Sequence, residues 1–136
     1  MAFGDAQTAA TILYGSEPAT ILLKDTVVAG DILGQSDGWN RALATTGSVI
    51  QGRCIAAEPG GTGDKILAYF GRVIMTGRFT GGTDDAPLYV AEGSDDGQFT
   101  ETAPSDSGDA NKKVGLVLDA VTIMAFPNRD VDSVVA

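Results

Sequence analysis

Eight carboxylates, Asp84, Asp85, Glu92, Asp95, Asp96, Glu101, Asp106 and Asp109, lie between Arg78 and Lys112 with no cation among them. Oxygen-rich loops of this kind can hold calcium, but Asp95-Asp96-Gly97 lacks both the ligand register and the distal bidentate glutamate of a helix-loop-helix calcium site. A solvated acidic rim is the expectation, with weak calcium binding left open. A carboxylate pair could also act on a sugar, yet that chemistry needs a cleft with aromatic platforms, and the chain has nine aromatic residues in all. Gly60-Gly61-Thr62-Gly63-Asp64-Lys65 is glycine-rich but lacks the Gly-Lys-Ser/Thr ending of a phosphate loop, and it enters a strand rather than a helix. The lone Cys54 sits in an apolar run with no histidine anywhere to activate it, so a buried structural thiol is expected. No catalytic residue, cofactor site or metal site is predicted, and the chain is expected not to be an enzyme.

The elements that would position these groups read as strands. The runs Lys65 to Phe70, Arg72 to Met75, Pro87 to Val90, Gln98 to Thr100, Lys113 to Leu118 and Val121 to Phe126 are rich in β-branched and aromatic residues. Between them stand turn residues: Gly77, Gly81 to Asp85, Ser94 to Gly97 and Pro104 to Gly108. Upstream, Thr20 to Leu23, Thr26 to Val28, Ile32-Leu33, Ser48 to Gln51 and Arg53 to Ala57 have the same texture. No segment sustains a capped 3.6-residue apolar period, a short turn near Asn40 to Thr45 aside. The fold class is therefore all-β, a small single-domain barrel or sandwich. Alternation predicts Val114, Leu116 and Leu118 on one face. Ile66 to Phe70 and Val73 to Met75 are apolar on both faces, so both strands should be covered on both sides.

Three zones follow. Residues 1–18 are small and polar around Ile12-Leu13-Tyr14 and read as a flexible N-terminal arm. Residues 19–127 form the β domain, and 128–136 a tail that is either a last edge strand or a frayed end. A chain of 136 residues, 43% hydrophobic, is long enough for one core. Nine Lys and Arg against eighteen Asp and Glu leave a net charge of −9, which argues against nucleic acid and anionic membranes as partners. No leader or long apolar run is visible, so a cytoplasmic origin is expected.

The order of Val27-Val28-Ala29-Gly30-Asp31-Ile32-Leu33, Gly52-Arg53-Cys54-Ile55-Ala56-Ala57, Gly63-Asp64-Lys65-Ile66-Leu67, Gly71-Arg72-Val73, Ala86-Pro87-Leu88-Tyr89-Val90, Gly97-Gln98-Phe99-Thr100 and Val114-Gly115-Leu116-Val117-Leu118 resembles the head decoration (capsid cement) proteins of tailed bacteriophages. The likeness runs from about Thr20 to Phe126. It implies a β-barrel homotrimer on the capsid exterior, assembled in the host cytoplasm, that binds the major capsid protein and stabilises the shell. On that reading Ile12, Leu13 and Tyr14 of the arm bind the capsid by adding a strand to a sheet edge. Trp39, Leu67, Tyr69 and Ile74 are then the candidate trimer or core contacts.

Capsid fibre or spike-base proteins and carbohydrate-binding modules remain as alternatives. A biotinyl- or lipoyl-type carrier barrel is less favoured, because Lys65 starts a strand instead of crowning a hairpin.

Overall fold

The structure, a computed structural model, describes residues 7–136, and among these it contains eleven strands and no helix. The six-stranded sheet runs, from edge to edge, β1 (Thr11–Gly15), β7 (Val73–Thr76), β11 (Thr122–Ala125), β10 (Gly115–Asp119), β8 (Pro87–Val90) and β9 (Phe99–Thr100). The five-stranded sheet runs β2 (Pro18–Leu22), β6 (Lys65–Tyr69), β5 (Cys54–Ala56), β3 (Ile32–Gln35) and β4 (Trp39–Arg41). Every pairing between these strands is antiparallel. The sheets do not close into a barrel, so the sandwich alternative is the one realised.

One bent ribbon passes from sheet to sheet. β1 and β7 pair in the first, β2 and β6 in the second, and both chains turn the corner side by side. Four short hydrogen bonds stitch the corner: Ser16 N to Arg72 O (3.0 Å), Arg72 N to Ser16 Oγ (2.7 Å), Phe70 N to Glu17 O (3.0 Å) and Gly71 N to Ser16 O (3.2 Å). The close approach needs Gly15 and Gly71, where a Cβ would overlap the Tyr69 ring and the Ser16 hydroxyl respectively.

Two cores result. The larger lies between the sheets and joins Ile32 and Ile55 of one to Val73, Met75, Leu88, Val117 and Ile123 of the other. The smaller is wrapped by the five-stranded sheet itself, around Leu23, Leu33, Cys54, Ile66 and Ala68. The doubly buried strands are accordingly β3 and β5. β6 and β7 bury one face, Ile66 and Ala68 or Val73 and Met75, and leave Leu67, Tyr69 and Ile74 half-buried, contrary to the expectation that both faces are covered. In β10 the buried residues are Gly115 and Val117, while Leu116 is half-buried and Leu118 exposed. Val114 is buried just before the strand begins, and the irregular register between Val117 and Asp119 carries the remaining displacement.

The sharpest departure from expectation concerns the arm. Residues 1–6 lie outside the described residues, but 7–18 belong to the body of the fold. Ile12 packs on the main core, and β1 pairs with β7 along its length. Upstream of β1, Gln7 and Thr8 reach the guanidinium of Arg78, the largest fully buried side chain among the described residues. Arg78 uses all five of its N–H donors. Nε donates to Gln7 Oε1 (3.1 Å), and Nη1 to Thr8 O (3.1 Å) and Ala29 O (3.3 Å). Nη2 donates to Gly97 O (3.1 Å) and to the Asp31 carboxylate. The other Asp31 oxygen accepts from Val28 N at 2.9 Å. Burial pushes Asp31 up and Arg78 down, and their mutual attraction opposes both shifts.

A segment so held contributes to stability. Deleting residues 1–15 removes the Gln7 and Thr8 acceptors and uncovers the core beneath Ile12. We expect the urea midpoint to fall by the equivalent of at least about 3 kcal/mol, the scale for breaking a buried charge cluster. An unchanged midpoint would mean that these residues are only draped over the surface.

Candidate functional site: an apolar row across the six-stranded sheet

Register places Tyr14 opposite Ile74, Ile74 opposite Met124, Met124 opposite Leu116 and Leu116 opposite Pro87. Because side chains alternate along a strand, these residues point away from the core that holds Met75, Ile123 and Val117. The result is a lateral apolar row on the outer face of five adjacent strands. Tyr14 is 52% exposed, and Ile74, Met124 and Leu116 are half-buried by their neighbours alone. Leu118 and Val121 extend the apolar surface at the β10–β11 turn. A β-branched residue, two long flexible ones and a tyrosine make a contact surface, with no nucleophile or base among them.

To one side of the row, beyond the corner ends of β7 and β11, lies a cleft of about 320 Å³, lined by Glu17, Phe70, Gly71, Arg72, Phe126, Asn128 and Arg129. The turn closed by Arg129 N to Phe126 O (3.0 Å) brings the Arg129 guanidinium over the Phe126 ring, 5.1 Å from its centroid. Phe70 forms the other aromatic wall and meets Trp39 edge-on, with centroids 5.5 Å apart.

Of the residues singled out from sequence, the structure brings Tyr14 and Ile74 together. Leu13 sits at the register irregularity of β1, 59% exposed, while Ile12 turns inward and is a core residue. Trp39 plugs the smaller core with Phe70. Tyr69 packs on the larger core, and Leu67 lies on β6 of the other sheet, so neither joins the row. Sequence reasoning missed Met124, Leu116, Arg72, Phe126 and Arg129. The period-two alternation of Thr122-Ile123-Met124-Ala125-Phe126 carried a signal for Met124 and Phe126. Their alignment with Ile74 depends on long-range register.

Three other groups of reactive side chains are accounted for by their surroundings. Glu92, Asp106 and Asp109 bring carboxylate oxygens within 4.8 Å of one another. Glu92, hydrogen-bonded to Asp109, is pushed up, and Asp109 is held down by that bond and by the amides of Thr46 (2.8 Å) and Asp106 (3.1 Å). Burial pushes the Cys54 thiol up to about 12, so it stays protonated and unreactive near neutral pH. Asp64 closes the Gly60–Lys65 segment as a plain turn, accepting from Gly61 N at 2.9 Å.

Comparison with family models, with curated proteins and with solved structures finds no match to this chain.

The tail beyond Phe126 is strapped down by charge. Asp132 accepts from Arg53 (2.6 and 2.5 Å) and from the buried Lys112 ammonium (2.8 Å), which also donates to Gly52 O (2.8 Å). The strap then runs beside residues 108–111, with Asn111 N to Ser133 O at 3.1 Å and Val135 N to Asp109 O at 2.8 Å. The Arg53 hydrogen bonds, reinforced by Lys112, lower Asp132 from 3.8 to about 2. A carboxylate lowered in the folded state stabilises that state above its ordinary value, and the contribution is lost as pH falls through the lowered one. The Asn111 and Val135 amide resonances should therefore shift between about pH 4 and pH 2 as the strap lets go. Asp132→Asn should show the detached shifts already at pH 7, with only a modest loss of stability because the pair is partly solvated. Amides insensitive to both acid and the substitution would show that other contacts hold the strap.

Proposed function

We propose that the protein is a non-catalytic structural protein that decorates the outer surface of a tailed-phage capsid and stabilises the shell, binding the major capsid protein as a homotrimer. The observation that carries this reading is the Tyr14–Ile74–Met124–Leu116 row: an apolar surface on the outer face of a sheet, next to the edge strand β1. A sheet face of this kind suits protein contact. The order of turns and strands from Thr20 to Phe126 supports the capsid assignment by its resemblance to head decoration proteins. A rigid sandwich bound in many copies adds its binding free energy to the assembled shell, which mass action then favours over its dissociated parts. The acidic loops between Arg78 and Lys112 would keep densely decorated particles apart.

The capsid contact on this reading is made by the body of the fold. Leu13 and Tyr14 present themselves from a preformed edge strand, so the ordering entropy of a disordered arm is not charged against binding.

Peptide mass analysis of density-purified phage particles should find the protein in stoichiometric ratio to the major capsid protein. Particles assembled with Tyr14→Ser, Ile74→Thr and Met124→Thr together should carry at least about tenfold less of it, on the scale of about 1.4 kcal/mol per decade. Its absence from purified particles would overturn the assignment.

A further inference from the structure

The six-stranded sheet is polarised in charge along its strands. At the corner end, where Val73 pairs with Ala125, the cleft presents Arg72 and Arg129 beside the Phe70 and Phe126 rings, with Glu17 as the one carboxylate on its wall. At the opposite end, where Thr76 pairs with Thr122 and Thr122 with Asp119, the loop after β7 folds against the β10–β11 turn. Gly82 N donates to Ala120 O (3.0 Å), Asp85 N to Val117 O (2.9 Å) and Thr83 N to Glu101 Oε1 (2.6 Å). That loop ends in a tight turn closed by Ala86 N to Thr83 O (3.1 Å), which lifts Asp84 and Asp85 to its tip.

Glu101 and Asp119 lie beside this tip, so carboxylates gather at one end and guanidinium groups at the other. Among the described residues the ion pairs use Arg41, Arg53, Arg78 and Lys112, and none involves the Arg72 or Arg129 guanidinium or the four carboxylates of the far end. In a chain of net charge −9, a cleft with two guanidiniums outside any of these ion pairs is a place where an acidic segment of a second copy meets attraction.

From this polarity we infer that the occupant of the Arg72–Arg129 cleft is the Asp84–Asp85 turn of a second copy of this chain. The inference rests on the self-association proposed above and deepens it. A cleft of about 320 Å³ is the size of a small ligand pocket, with two fork-shaped donors matched to carboxylates and aromatic walls that shield the pairs from water. A contact between two different patches is heterologous; a rotation of about 120° between neighbours closes it into a ring of three, and a rotation that does not close continues it into a filament. The same complementarity satisfied twice across a two-fold axis would give a dimer instead.

Charge exchange tests the contact by light scattering coupled to size exclusion, with circular dichroism to verify folding. Wild-type protein is expected at three times the 13.9 kDa chain mass. Arg72→Glu with Arg129→Glu, or Asp84→Arg with Asp85→Arg, should weaken self-association about 10- to 100-fold, more at low salt than at high. All four substitutions in one chain recreate opposite ends and should restore the wild-type mass. Restoration to a dimeric mass would uphold the contact and overturn the trimer. An oligomer indifferent to all three variants would overturn the contact and leave the trimer standing. A wild-type monomer at millimolar concentration would overturn both.

Discussion

A charged side chain buried in a sandwich has to be answered by the segments around it, and Arg78 is answered by three. Its donors reach Gln7 and Thr8 ahead of β1, Ala29 and Asp31 ahead of β3, and Gly97 ahead of β9. Those segments enter strands of both sheets. An unpaired buried guanidinium is far too unfavourable to tolerate, so the cluster is effectively all-or-none. The order of the N-terminal segment, the turn at Gly30 and the approach of the β8–β9 connection therefore depend on one another. With β1 held, its outward residues become a fixed part of the sheet surface, and the apolar row gains its first member, Tyr14.

The corner ribbon supplies the second constraint. Because β1–β2 and β6–β7 turn from sheet to sheet together, the Ser16–Glu17 and Phe70–Arg72 turns must lie side by side, and that crossing supplies the Glu17, Phe70 and Arg72 wall of the cleft. The facing wall, Phe126 and Arg129, comes from the turn after β11. The second core inside the five-stranded sheet leaves Cys54 without access to solvent.

Much of the fold was legible because strand and turn signals are local. Ile66 to Tyr69, Val73 to Thr76, Pro87 to Val90 and Thr122 to Ala125 all appear as strands where β-branched runs meet glycine and aspartate turns. What was not legible is non-local. A lone arginine after Gly77 reads as a surface residue, and nothing nearby in sequence announces that Asp31, 47 positions away, lies against it. Taken alone, the polar texture of residues 7–18 resembles a free arm. Its order comes from Arg78 and from pairing with β7. The phase of β10 was misjudged because Val114, buried outside the strand, imitates the alternation of one that starts earlier. Of the interaction residues, Tyr14 and Ile74 share the row, whereas Trp39, Leu67 and Tyr69 carry the same apolar signal and serve other surfaces. Apolarity shows that a residue is covered or able to be covered, and only register shows by what.

The dependence on Arg78 is tested most directly by urea unfolding of Arg78→Met, read together with hydrogen exchange at the Thr8 and Ala10 amides, which donate to Arg78 O and Ala29 O. Leaving the Asp31 carboxylate and three carbonyls without their donor should cost about 3 to 5 kcal/mol and release both amides, and adding Asp31→Leu should recover part of the loss by removing the stranded charge. A single Arg78→Met variant as stable as the wild type, with both amides still protected, would contradict the account.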